Sequence, residues 1–225
     1  MDFLQKTIHF QEAMKKINEL LEFYATAKQE VISLGYTSEI AWQESQSPET
    51  INESMFLQET AWVIYCSGFR EETVRNYFSH ISLCFCDWES AKEICSNKDK
   101  CLYTAMSVFR NKRKHYAVAS VAELVATSGF SYFKTNLLNN PIETLRQLPF
   151  IGTVTSYHLA KNLGFDVAKP DRHLERLKKH FGYHSVGALC SDISSYYDDS
   201  IRVIDIVLWR YLERSSTKGK KVIWV

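Results

Sequence analysis

The sequence predicts an all-α protein, and three observations carry that expectation. Apolar residues recur at helical spacing in Ile8–Leu34, Ser54–Ser67, Glu71–Leu83 and Ile201–Arg214. No stretch reads convincingly as a hairpin of strands. Glycine and proline fall between these segments, at Gly35, Gly68, Gly129, Pro141, Pro149 and Gly164, where they stop or start helices.

In the first segment Phe10, Met14, Ile17, Leu20, Leu21, Tyr24 and Ile32 form an apolar stripe suited to core packing, and Gly35 follows as a stop. Gln43–Asn52, rich in Ser, Gln and Glu, reads as a loop or a break between subdomains; Trp42 before it lines a pocket or covers the core. Phe56, Trp62, Val63 and Cys66 stand at helical intervals in the next segment, which Gly68 interrupts before Glu71–Leu83 resumes. A helix is expected over Tyr116–Ala126. Gly129-Phe130 and Asn139-Asn140-Pro141 bracket a shorter one, and Pro141 opens the approach to Leu148.

Leu145–Gly182 is the stretch around which the chain is organised. Pro149-Phe150-Ile151-Gly152 makes a tight turn, in which proline presets φ and Gly152 is able to take positive φ and admit another backbone. Thr153–Asn162 follows as a helix, with Gly164 at its C′ position. An extended linker reaches Lys169-Pro170, and Asp171 starts a third helix carrying Leu174, Leu177 and Phe181. Beyond Gly182, Ser191–Ser200 reads as a polar, turn-like run. Ile201–Arg214 is a last amphipathic helix with Asp205 facing solvent, and the tail Ser215–Val225 starts flexible and ends apolar, so that its end docks. The expected division is 1–60 as N-terminal helices packing on the core, 61–214 as the core with discontinuous lobes, and 215–225 as a tail.

At 225 residues, with 45% hydrophobic and 24% charged residues, the chain is long enough for a sizeable core of ordinary globular composition. No apolar run is long enough to cross a bilayer, and the N-terminus lacks the pattern of a signal peptide. A cytoplasmic, nucleoid-associated protein is expected if the source is bacterial, otherwise a nuclear one. Six cysteines without a secretory signal point to reduced thiols. The spacing of Cys84, Cys86, Cys95 and Cys101 matches no common zinc pattern, so no metal is expected.

Charge is distributed unevenly. Up to Thr60 the only bases are Lys6, Lys15, Lys16 and Lys28, against a majority of acids, whereas bases collect at Arg110–His115 and at Arg172–His180. Such a basic face is the footprint expected for DNA, although any solvated helix face can show it. The hairpin adds a second pointer, because backbone N–H groups at a helix start suit a phosphate. A phosphodiester docked there needs no particular base sequence.

Leu148-Pro149-x-Ile151-Gly152, followed by a glycine-ended helix, a linker and the helix-opening Asp171, resembles the helix–hairpin–helix (HhH-GPD) DNA glycosylase superfamily, which includes endonuclease III and the alkylpurine glycosylases. The resemblance runs from about Trp62 to the last helix and is strongest over Leu145–Gly182. It implies a two-lobed helical fold with a DNA-facing cleft, and hydrolysis of the N-glycosidic bond of a damaged or modified base. Asp171 stands at the position of the catalytic aspartate. On its residues alone Asp171 is a favoured N-cap, and the two roles are compatible.

The resemblance also assigns DNA contacts to Leu148, Pro149, Phe150, Ile151, Gly152 and Thr153. Arg110, Lys112, Lys114 and Arg172 are the candidate phosphate-binding cations. Ser67-Gly68-Phe69-Arg70 corresponds to the loop that enters the duplex, with Phe69 as wedge and Arg70 reaching a phosphate or the orphan base; burial is the alternative for Phe69. Trp62 and Tyr65 are candidate walls of a pocket for the flipped base, or simply core. Phe109-Arg110-Asn111-Lys112-Arg113-Lys114 resembles an aromatic-x-Asn-x-Lys/Arg element of the superfamily that packs a helix start beneath the cleft.

Bifunctional members carry a lysine two residues after the last hairpin glycine. Val154 stands there, which implies a monofunctional enzyme, with Lys161 and Lys169 as the nearby amines. The iron–sulphur cysteine pattern of endonuclease III is absent. No cofactor is implied beyond a structural monovalent cation at the hairpin carbonyls. The expected partner is double-stranded DNA with a flipped base, bound by a monomer. Alkylated purines are the default substrate, and a hypermodified phage pyrimidine is the second choice. A non-catalytic DNA-binding module and a helical interaction protein are the alternatives from other classes.

Overall fold

The computed structural model describes residues 3–217. Among them thirteen α-helices and two short 3-10 turns are formed, and no strand. The helices are α1 (Phe3–Ser33), α2 (Thr37–Ser45), α3 (Glu53–Cys66), α4 (Glu71–Cys84), α5 (Ala91–Ser96), α6 (Lys98–Val108) and α7 (Lys112–Ser128). They continue with α8 (Phe130–Asn139), α9 (Pro141–Arg146), α10 (Thr153–Asn162), α11 (Arg172–Phe181), α12 (Val186–Tyr196) and α13 (Ile201–Thr217). No described helix is long and apolar enough to cross a membrane.

The chain divides into two compact units, residues 1–45 with 166–225, and residues 46–165. The boundary expected at residue 60 therefore falls inside α3. That helix is continuous because Phe56, Leu57, Thr60, Ala61, Val63 and Ile64 are buried along it without interruption. The break comes instead at the loop before the 3-10 turn Pro48–Thr50.

In the first unit, Leu20, Tyr24 and Ala27 of α1 pack with Leu174 and Leu177 of α11, Leu189 and Ile193 of α12, and Ile204, Val207 and Leu208 of α13. Each such aliphatic side chain contributes roughly 1.5–3 kcal/mol. Only part of the α1 stripe is used, since Met14 and Ile32 are exposed. Asp199 joins α1 to the loop before α13, accepting from Tyr24 Oη at 2.7 Å and from Lys28 Nζ at 2.7 and 2.8 Å. Burial, then the bond to Asp199, pushes the Tyr24 phenol far upward.

Two expectations fail in this unit. Ser191–Ser200 is not a turn-like run over its first half, because α12 extends to Tyr196, with Val186, Leu189, Cys190 and Ile193 buried at helical spacing. Asp205 does not face solvent. It is buried, and its Oδ2 accepts from the Lys169 N–H at 2.7 Å. The tail residues 218–225 lie outside the described residues, whereas 215–217 continue α13.

The second unit is built around α7, whose Ala117, Val118, Val121, Ala122 and Val125 are buried. It packs on α3, α5, α6 and α8. Asn111 caps α7, its Oδ1 accepting from Lys114 N at 3.3 Å, so the helix starts four residues before the expected Tyr116. Gly164 ends the helix after the hairpin at φ +91, and an added Cβ would meet the Ser47 backbone at 2.7 Å. Glycine is required there on both counts.

Candidate functional site

The hairpin lies in the 46–165 unit. The Ile151 N–H donates to Leu148 O at 3.1 Å, closing a four-residue turn with Pro149 second and Phe150 third. The positive φ that such a turn needs at its third residue is taken by Phe150, at +69°. Gly152 was the expected residue for it, but has φ −105 and ψ −167, an ordinary extended conformation. A non-glycine in that region costs about 1–2 kcal/mol. The Gly152 N–H donates to Thr155 Oγ1 at 2.7 Å. The N–H groups of Thr153, Val154 and Thr155 at the start of α10 have no partner among the described residues, as the first turn of an uncapped helix leaves them. Leu148 and Ile151 are buried and anchor the turn, while Phe150, Gly152, Thr153 and Val154 are exposed.

The basic run stands at the start of α7. Arg110, Lys112 and Arg113 are exposed, and the first turn contains no acid. Cations at a helix N-terminus oppose the dipole by roughly 0.3–1 kcal/mol each, which an external anion would offset. Lys112 Nζ lies 5.4 Å from the Tyr116 ring centroid and Arg113 lies 5.8 Å from that of Phe150. Lys114 departs from the expectation of a phosphate-binding cation. It is 2% exposed, and its ammonium donates to the carbonyls of Ile64, Tyr65 and Ser67 at the end of α3. Burial pushes its pKa down to about 8.

Phe69 lies in the turn between α3 and α4 and is 43% exposed, with Arg70 exposed beside it. Tyr65 is not a pocket wall. It is fully buried, and its hydroxyl donates to His115 Nδ1 at 2.6 Å while His115 Nε2 donates to Phe109 O at 2.5 Å. That arrangement needs a neutral imidazole, and burial correspondingly lowers the His115 pKa. Trp62 is half-buried, edge-on to Phe78 at 5.0 Å and beneath Arg75 at 5.5 Å.

Asp171 lies in the other unit, as the N-cap of α11. Its Oδ1 accepts from His173 N at 2.8 Å and Leu174 N at 3.1 Å. Its Oδ2 is 4.0 Å from Lys169 Nζ. Two features that the sequence did not mark hold the segment before it. Asp205 accepts from the Lys169 backbone, and the Asp171 N–H donates to Lys169 O at 2.8 Å. Arg172 is exposed, its Nε 3.3 Å from His173 Nε2. His173 is buried beside the cap, and burial lowers its pKa against an opposing pull from Asp171.

No family model and no curated protein matches the sequence. Among solved structures, the 8-oxoguanine DNA glycosylase of Thermotoga maritima superposes with a TM-score of 0.61 at 16% identity, covering 88% of this chain and 97% of that one. The fold is that of a helical DNA glycosylase. The expectation of an all-α, two-lobed glycosylase fold is met at the level of fold.

Val154, the position at which the resemblance places the lysine of bifunctional enzymes, is exposed at the second position of α10. Of the two alternative amines, Lys161 is buried within the 46–165 unit. Lys169 stands beside Asp171 in the other unit, its ammonium 5.8 Å from the Trp209 ring centroid. The six cysteines are all thiols. Among the described residues no three His, Cys, Asp or Glu side chains group as a metal site requires.

Proposed function

We propose that the chain is a monofunctional DNA glycosylase that hydrolyses the N-glycosidic bond of a damaged or modified base in double-stranded DNA. The observation that carries the reading is the combination, on a glycosylase fold, of an anion-ready hairpin helix and a carboxylate fixed at the start of α11. The hairpin N–H groups and the cations Arg110, Lys112 and Arg113 suit phosphates. Arg172 suits one on the other unit.

In the reaction the C1′–N bond breaks, a water oxygen bonds to C1′, and the departing base takes up a proton. Positive charge develops on the sugar as the base leaves. The Asp171 carboxylate, oriented by its two backbone N–H bonds, lowers the barrier by facing that charge. It also serves to orient the attacking water or accept its proton. No amine occupies the Val154 position, so strand cleavage through a Schiff base is not part of the reading.

The test is a set of duplexes each carrying one lesion: 8-oxoguanine, an alkylated purine, or a modified pyrimidine of the kind phages carry. Oxidised purine enters first because the solved neighbour acts on 8-oxoguanine. Release of a free base, with strand breaks only after alkali or heat, is the expected result. Borohydride trapping of a covalent complex would replace monofunctional hydrolysis by lyase chemistry, with Lys169 the first amine to substitute. Steep salt dependence of binding without release of any base would leave a DNA-binding module.

A further inference from the structure

The turn between α4 and α5 is strained, and it holds one thiol close to another. Cys86, Asp87 and Trp88 stand at φ +56, +48 and +62. L residues visit this left-handed region singly and at a cost, so three in succession call for restraint from their surroundings. That restraint stands on both sides of Cys86. Phe85 and Trp88 are buried and stacked, with ring centroids 5.5 Å apart and planes 7° from parallel, and Trp88 Nε1 donates to Ser82 Oγ at 2.9 Å. The clamped turn sets Cys86 Sγ 3.9 Å from Cys101 Sγ on α6. Bonded sulfurs lie about 2.05 Å apart, which leaves a gap on the scale of a side-chain torsion. Cys101 is buried, and Cys86 is half-buried.

We propose that Cys86 and Cys101 are a modification site, forming a reversible disulfide in the presence of hydrogen peroxide that locks the end of α4 to α6. Cys86 is the more accessible thiol and meets the oxidant. Its thiolate attacks one peroxide oxygen, giving a sulfenic acid and releasing hydroxide. The Cys101 sulfur then attacks the Cys86 sulfur and gives up its proton, the S–S bond forms, and the sulfenic oxygen departs as water. Two electrons pass in all from the two thiols to one peroxide. Burial, then the facing charge of Cys86, pushes the Cys101 thiol up to about 12, so Cys101 is inert towards the oxidant itself. Once Cys86 is a neutral sulfenic acid, its charge no longer opposes ionisation of Cys101, which orders the two steps. Cys84, on the last turn of α4, pushes Cys101 up by a smaller amount and is the competing partner. The two sulfurs belong to residues 15 apart, and the loop between them contains α5, which packs on α7. Closing that loop restricts the unfolded chain, so oxidation stabilises the protein instead of damaging it.

The test uses the full chain, reduced and then treated with hydrogen peroxide, and reads peptide masses without reductant together with the melting temperature. A cross-link between the Cys86 and Cys101 peptides, with the loss of two hydrogen atoms, is expected. The melting temperature should rise by about 6–12 °C, the effect of closing a loop of this length in a protein of this size, and should return on adding a phosphine reductant. C86S should abolish both changes, and C84S should leave both. Thiols that stay unmodified, sulfinic or sulfonic acid at Cys86 without a cross-link, or a cross-link that runs to Cys84 would overturn the pairing. A Cys86–Cys101 cross-link that leaves the melting temperature unchanged or lowers it would overturn the lock. Cys86 is partly exposed, so C86S stays informative should a variant of the buried Cys101 fail to fold. No DNA enters these measurements, so their failure is distinct from failure of the glycosylase reading.

Discussion

Two helix starts in this protein solve the same problem in opposite ways. Both α10 and α11 begin with backbone N–H groups that lack intrahelical acceptors. At α11 the chain supplies its own anion: the Asp171 carboxylate accepts two of those N–H groups. At α10 the cap position is Gly152, which has no side chain to offer, and three N–H groups stay open. The backbone at the two caps is nearly the same, φ −105 and ψ −167 at Gly152 against φ −85 and ψ 174 at Asp171. Geometry therefore does not dictate the difference. On the proposed function, one start receives a phosphate and the other holds a fixed carboxylate facing the positive charge that develops on the sugar.

Removing the charge at α11 is expected to have the largest effect. Asn caps helices about as well as Asp, and its amide oxygen can accept the same two N–H bonds, so D171N should fold with little change in stability. Base release should fall by at least about 100-fold, as when other preorganised electrostatic groups are removed. Binding to lesion DNA should persist or tighten. Excision at the wild-type rate would reduce Asp171 to a cap.

The converse change gives α10 the cap that α11 has. A Cβ at Gly152 meets only Thr155 Oγ1 at 4.0 Å, so G152D is sterically permitted. It should raise helix stability by a few tenths of a kcal/mol. It should weaken duplex binding at low salt about tenfold, by occupying the N–H groups and repelling a phosphate. Unchanged affinity, with helicity intact by circular dichroism, would remove the hairpin from the DNA interface.

How far these two starts were legible follows from what determines each. Thr153–Asn162 and the Asp171 cap were readable because proline, glycine and Asp act on their own neighbours. Lys114 was not. Its sequence context is a basic run, and only the carbonyls of Ile64, Tyr65 and Ser67, some fifty residues away, turn it from a surface cation into a buried one. Asp205 was misread for the same reason, since its partner is the backbone of Lys169. Phe150 was readable as a turn residue, but the choice of which residue takes positive φ depends on closure of the turn. The short helices α5 and α6 were not assigned, although Ser90 caps α5 by accepting from Glu93 N at 3.1 Å.

A smaller effect follows from the buried amine. The Lys114 pKa is pushed down to about 8 by burial, with Cys66 the facing ionisable group that pulls it back up. Above that pH the folded protein holds a neutral amine, while the unfolded chain still binds the proton up to its ordinary value. Stability relative to K114M should therefore rise, not fall, between about pH 8 and 10. The melting temperature of the wild type should gain on that of K114M over the same range. Parallel pH profiles of the two melting temperatures would show that Lys114 does not titrate in that range in the folded protein.

The smallest expected effect concerns the other end of α10 and separates its anchoring from its open start. Asn162 Nδ2 donates to Glu59 Oε2 at 2.9 Å. Burial raises the Glu59 pKa to about 7, against the lowering influence of that hydrogen bond. A carboxyl whose folded pKa lies above its unfolded value binds more protons when folded. Its contribution to stability is therefore greatest at low pH and is lost as pH rises from about 4.5 towards 7. E59Q keeps an acceptor for Asn162 and removes the charge. It should match the wild type in melting temperature near pH 4 and exceed it at pH 8, by about 2–4 °C for each kcal/mol recovered. DNA binding should not change at either pH, because the open N–H groups lie at the opposite end of the helix. A variant that lost affinity as it gained stability would show that rigidity of α10, and not only its uncapped start, governs the hairpin.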